Sequence, residues 1–175
     1  MKRFLILLLF GIVLTTGAWA DAPPTRPADE ARLLENMDLV KNLVKGSLLL
    51  AAEDDPLKRA DHCNALAIYV ASEMEQAADK QDGDRTLELA GYLRALLEQG
   101  VASNLQTSQR DLKPGSARDQ EVNQLGQQVR KVLELLESHL RSGSDSDDRF
   151  SRALQAVHDG KAEVDRALQS RNAKK

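Results

Sequence analysis

Apolar residues recur at alternating intervals of three and four through most of this chain, and that spacing is what most narrows its fold. Between about residues 56 and 80 the series is Ala60, Cys63, Ala67, Val70, Met74, Ala77. Between about 117 and 141 it is Val122, Leu125, Val129, Val132, Leu136, His139. Between about 148 and 171 it is Phe150, Ala153, Val157, Gly160, Val164, Ala167. Such spacing holds one stripe of a 3.6-residue helix in line. Helices that carry it pack side by side at a crossing angle of about 20°. Leu, Ala, Glu, Gln, Lys and Arg dominate, β-branched runs are nearly absent, and aromatic residues are 3% of the chain. Those are the preferences of helices and not of strands. The expectation is an all-α protein.

Punctuation divides the pattern into five helices. The first runs from about 29 to 52 and is stopped by Asp54-Asp55-Pro56. Asp55 then serves as N-cap, with Pro56 at the first helical position, for a second helix over about 56–80. Asp82-Gly83-Asp84 is a tight turn into a third over about 85–105. The longest break, QTSQRDLKPGSA, leads to a fourth over about 117–141, which Ser116 and Asp119 cap as a pair. SGSDSDD leads to the fifth, about 148–171, capped by Ser146 or Asp147, and residues 172–175 form a frayed tail. Long helices with short connections imply an antiparallel bundle. Gly46, Gly100, Gly126 and Gly160 fall inside helices, where each costs about 1 kcal/mol relative to alanine; close helix crossings would offset that, and drift would explain it as well.

The first twenty residues have the grammar of a secretory signal. Lys2 and Arg3 precede an apolar run from Phe4 to Val13, and Ala18-Trp19-Ala20 gives a small-x-small site before Asp21. The run is short of the roughly 20 residues a membrane span needs. Residues 21–28, DAPPTRPA, read as a proline-rich extended tether. The expected mature protein is therefore periplasmic or secreted, without stable membrane insertion. The whole chain has a net charge of −3, and setting aside Lys2 and Arg3 leaves −5. With charges of both signs interspersed and no basic stripe, nucleic acid is not an expected partner.

Little chemistry is legible. Cys63 is the single cysteine, so no internal disulfide can form. It lies in the seam of the second helix and should point inward as a small hydrophobe. His62, rotated about 100° from it, falls near Leu66 and Tyr69 and cannot share a ligand or proton with Cys63. The three histidines stand on different helices without zinc-type spacing, and the acidic loops DKQDGD and DSDDRF lack the calcium-loop core. No nucleophile elbow, phosphate-cradling loop or serine–lysine pair is present. No catalytic residue, metal ligand or cofactor is assigned. The alternative to a binding role is a carrier of haem or a small apolar ligand, in which Met37 and His139 would be the axial candidates. C-x-x-C-H is absent, so covalent haem is excluded.

The first helix carries two apolar stripes. One is Leu33, Met37, Val40, Val44, Leu48, Ala51; the other is Leu39, Leu43, Gly46, Leu50. A helix apolar nearly all round is either central in its bundle or presents a face to something else. The candidate partner-binding face is Leu39, Leu43 and Leu50, a groove for an amphipathic segment of another protein.

The stretch from Leu48 to Leu89, LLLAAEDDPLKRADHCNALAIYVASEMEQAADKQDGDRTLEL, resembles a helical-hairpin pattern of uncharacterised exported bacterial proteins. In that pattern an acidic "DP" opens an alanine-rich helix and a "GD" turn follows. Some of those proteins accompany sigma-factor and anti-sigma-factor systems. The resemblance covers about a quarter of the chain, implies a helical hairpin and assigns no functional residue. The expectation is an exported, non-catalytic protein-binding or envelope structural module, monomeric or homodimeric.

Overall fold

The computed structural model describes residues 27–110, 112–144 and 147–169. The segment expected to be a signal peptide, the expected tether as far as Arg26, the Leu33 side chain, Ser146 and the expected frayed tail lie outside the described residues. Backbone contacts divide the chain into two units, Met1–Glu35 and Asn36–Lys175. Among the described residues all regular structure is helical. The elements are α1 (Pro27–Ala52), α2 (Pro56–Asp79), α3 (Gly83–Ala95), a π-helical stretch (Leu96–Ala102), α4 (Ser103–Ser108), α5 (Ala117–Ser144) and α6 (Asp148–Gln169). α3, the π stretch and α4 follow one another without a break and form a single rod.

The ends form for the reasons their residues suggest. Asp55 caps α2 by accepting from the Leu57 N–H at 2.8 Å, with Pro56 in the first turn. α2 closes in a Schellman motif: the Asp82 N–H reaches the Ala77 carbonyl and the Gln81 N–H that of Ala78, both at 2.9 Å. The motif requires a left-handed residue, and Gln81 takes it at φ 56°. Ser116 Oγ accepts from the Asp119 N–H at 3.2 Å, while the Asp119 carboxylate accepts from the Gly115 N–H at 2.7 Å. Asp147 caps α6 through the Arg149 N–H at 2.9 Å.

Four rods close a ring. α2 packs on the third rod, the third rod on α6, α6 on α5, and α5 back on α2. The core is their shared interior, where Val70, Met74, Leu89, Leu93, Leu97, Leu105, Val122, Val129, Leu136, Val157 and Val164 are essentially inaccessible. The seams of α2 and α6 are those of the sequence pattern: all twelve residues are buried. α5 differs in its second half, where Leu133 and Leu140 are buried instead of Val132 and His139. An α-helix drifts about 20° per heptad against a strict seven-residue repeat. The buried series 122, 125, 129, 133, 136, 140 absorbs that drift with one extra residue.

The third rod has its own spacing. Leu89, Leu93, Leu97, Val101 and Leu105 stand four apart, and all five are fully buried. In an α-helix each step of four overshoots a turn by about 40°. From Leu93 to Leu105 the accumulated error would be about 120°, enough to turn Leu105 out of the core. The wider i→i+5 turns between Leu96 and Ala102 take up that overshoot, so the four-spaced side chains stay on one face.

The internal glycines mark close crossings. A Cβ on Gly46, Gly100, Gly126 or Gly160 would come within 2.6–2.7 Å of Leu66, Cys63, Leu168 or Leu97 respectively. Their helical cost is offset by contacts that alanine would obstruct.

Asp55 also joins two helix starts, because Arg118 in the first turn of α5 donates to its carboxylate at 2.6 and 2.9 Å. The Arg118 guanidinium foremost, with the Leu57 N–H, holds the Asp55 carboxyl below its ordinary value against the opposing effect of burial. A depressed carboxylate contributes stability above its unfolded pKa, about 3.9, and loses it as pH falls through the lower folded value. Asp55→Ala, which removes both cap and ion pair, should cost about 1–2 kcal/mol at neutral pH. Arg118→Ala should cost less than about 1 kcal/mol there and flatten the acid limb of a stability–pH curve below about pH 4. Urea melts between pH 2.5 and 7 measure both.

Candidate interaction surface

α1 is not central in the bundle. From Asn36 onward it lies outside the four-rod ring, over α2 and the π stretch. Leu39 is buried, Leu43 and Leu50 pack against the core, and Gly46 admits Leu66 of α2. The face expected to receive a partner is thus turned onto the bundle. It is the other stripe that is open: Met37 is 58% exposed, Val40 57%, Val44 54% and Leu48 68%. Ala51 is exposed with them, and Leu49 to one side is 48% exposed. In the first unit, Leu34 is 63% exposed.

The reason lies in residue size at the crossing. A helix docks closely where it presents a small residue between larger ones, and Gly46 stands between Leu43 and Leu50 on the inward stripe. The outward stripe has valine and leucine at the corresponding level and no gap. Both stripes are apolar in the sequence; Gly46, which orients them, is there only one of several glycines inside helices.

Cys63 lies in α2 beneath this docking line, buried to 3% and free. Its sulfur faces Gly100 in the π stretch. Burial raises the thiol pKa and Arg59 opposes it, so the thiolate is disfavoured. A cavity of about 390 Å³ opens here, bounded by Leu43, Leu50, Cys63, Tyr92, Leu96 and Gly100. Sequence reasoning missed it because it depends on the π stretch; the strict four-residue spacing of the leucines was the available signal. His62 lines a separate cleft of about 190 Å³ with Lys45, Leu66 and Tyr69.

Among the described residues the histidines and Met37 stand apart from one another. His139 Nε2 lies 3.0 Å from Asp79 in α2, and Met37 stands in the exposed stripe. An axial pair would require both to leave these positions. Glu137 is 6% exposed, with His158 at 3.5 Å and Lys161 at 3.6 Å across the α5–α6 contact. This cluster ties two helices and faces none of the cavities described above. Among the described residues no group of three or more His, Cys, Asp or Glu side chains could hold a metal, and no helix is long and apolar enough to cross a membrane. No family model, curated protein or solved structure matches the chain.

Proposed function

We propose that this protein is a non-catalytic protein-binding module, exported after cleavage between Ala20 and Asp21, in which an antiparallel helical bundle serves as a rigid support for α1. The observation that carries the reading is the outward stripe Met37, Val40, Val44, Leu48, four large apolar side chains each more than half exposed on one helix. Single exposed apolar residues are ordinary, whereas a contiguous row along a helix is the form that helix-in-groove and helix–helix recognition uses. Gly46, into whose gap Leu66 of α2 fits, seats α1 by its other face.

A photo-crosslinking amino acid at position 44, introduced into the protein in its native envelope, tests the reading. A discrete adduct that is lost when Leu48 is changed to Glu is expected. No adduct at position 44 overturns it.

A second reading, a carrier of a small apolar ligand, is favoured by the open cleft beside Cys63, where Leu43, Leu50 and Leu96 stand alongside the polar Arg59, Gln99 and Asn104. Its volume is in the range of small-molecule sites. A ligand there would protect the thiol, so organic extracts of the purified protein should restore slow Cys63 labelling to stripped protein if this reading holds.

A further inference from the structure

We infer that the partner of the outward α1 stripe is the same stripe on a second copy of this chain, docked antiparallel. This rests on the protein-binding reading above and names its partner. Charge placement on α1 favours this pairing. On a helical wheel with Met37 at zero, Val40, Val44, Leu48 and Ala51 fall within about 60° of it. Lys41, Lys45 and Asp38 follow on one flank, at about 40°, 80° and 100°, whereas the other flank carries the uncharged Asn36 and Ser47. All three charged side chains are exposed.

The two ways of pairing identical helices treat those flanks differently. A parallel pair brings the charged flank of one helix against the uncharged flank of the other, and nothing is gained. An antiparallel pair, related by a two-fold axis perpendicular to both helices, brings like flanks together. Centring it on the stripe, near residue 42, sets Val40 against Val44 of the second copy and Met37 against Leu48. Asp38 then lies within about one residue of Lys45 of the other chain, twice over by symmetry. The acid and the base thus stand at opposite ends of the stripe on the same flank, an arrangement that only the antiparallel pair uses.

The same register has a cost that identifies it. Lys41 lies one residue from the two-fold axis, so the two copies of Lys41 sit about 3 Å apart along the helix direction on the same flank. Like charges that close oppose association. A single-helix face is also small beside the roughly 800 Å² per partner of a standard interface. The dimer is therefore expected to dissociate in the micromolar range, with Lys41 as its brake.

Sedimentation velocity of the purified protein from 1 to about 200 µM tests the inference. Wild type should pass from monomer to dimer, and Val44→Glu should stay monomeric with unchanged helical circular dichroism. Lys41→Leu should tighten the dimer at least about tenfold, since it removes the repelling pair and lengthens the stripe. Asp38→Lys should weaken it, and the swap Asp38→Lys with Lys45→Asp should restore it. A monomeric wild type throughout, a Val44→Glu dimer, or a swap that does not restore association overturns the proposal. The adduct at position 44 separates the two levels. An adduct of twice the chain mass supports self-pairing. An adduct with a different protein alone ends self-pairing and leaves the protein-binding reading standing, and no adduct ends both.

Discussion

Leu97→Ala should destabilise the protein by about 3–5 kcal/mol, lowering the melting temperature by roughly 10 °C. Leu97 is fully buried in the π stretch, at the contact with α6. Its Cδ1 occupies the space that a side chain on Gly160 would claim, 2.7 Å from where a Cβ would stand. Leu97 fills the space over Gly160 where α6 crosses the rod, so truncation leaves a cavity that neither helix can close without moving. The pair also gives a test by sign. Gly160→Ala alone should destabilise despite the better helix propensity of alanine, worth about 1 kcal/mol, because the new methyl collides with Leu97. In the Leu97→Ala background the methyl enters vacated space, and the same substitution should become neutral or stabilising. Additive effects in thermal melts of the two single variants and the double would show that the two positions are not in contact.

That pair also shows what was legible in the sequence and what was not. Gly160 was visible as a seam residue of the fifth helix, and its neighbours in the seam, Val157 and Val164, are buried as their spacing requires. The helix caps at Asp55 and Ser116 were equally legible, because capping depends on residues within four positions of one another. Leu97 was not, because its burial depends on a local change of helical winding. Periodicity read at 3.6 residues per turn scatters the four-spaced leucines over the surface of the rod, and only the π turns realign them. The second half of α5 failed in a milder way: a seven-residue template selects Val132 and His139, while the real helix has turned on to Leu133 and Leu140. The candidate surface was half legible. Two apolar stripes on the first helix were plain, and a double stripe does imply two contacts. Which stripe faces the bundle is decided by tertiary fit, through Gly46 and the Leu66 side chain that fills its gap. Sequence spacing contains no term for that.

Adjacent substitutions in α1 should therefore have opposite consequences. Leu39 is 4% exposed and Val40 57%, one residue apart and about 100° round the helix. Leu39→Glu places a carboxylate among apolar side chains with no partner on the inward stripe. Loss of the leucine contacts and the desolvation of the charge together amount to several kcal/mol. α1 lies outside the four-rod ring, so the expected relief is its release from the bundle, leaving the ring folded. The readout is Cys63, buried beneath the docking line with its thiolate disfavoured. Its alkylation should be slow in the wild type and at least about tenfold faster in Leu39→Glu, because labelling reports the fraction of molecules with α1 lifted and 1.4 kcal/mol already gives that factor. Val40→Glu should leave labelling and melting unchanged to within about 0.5 kcal/mol, as an exposed substitution does. Faster labelling in Val40→Glu than in Leu39→Glu would mean that the helix sits on the bundle by the other stripe, and the surface available to a partner would then be Leu39, Leu43 and Leu50.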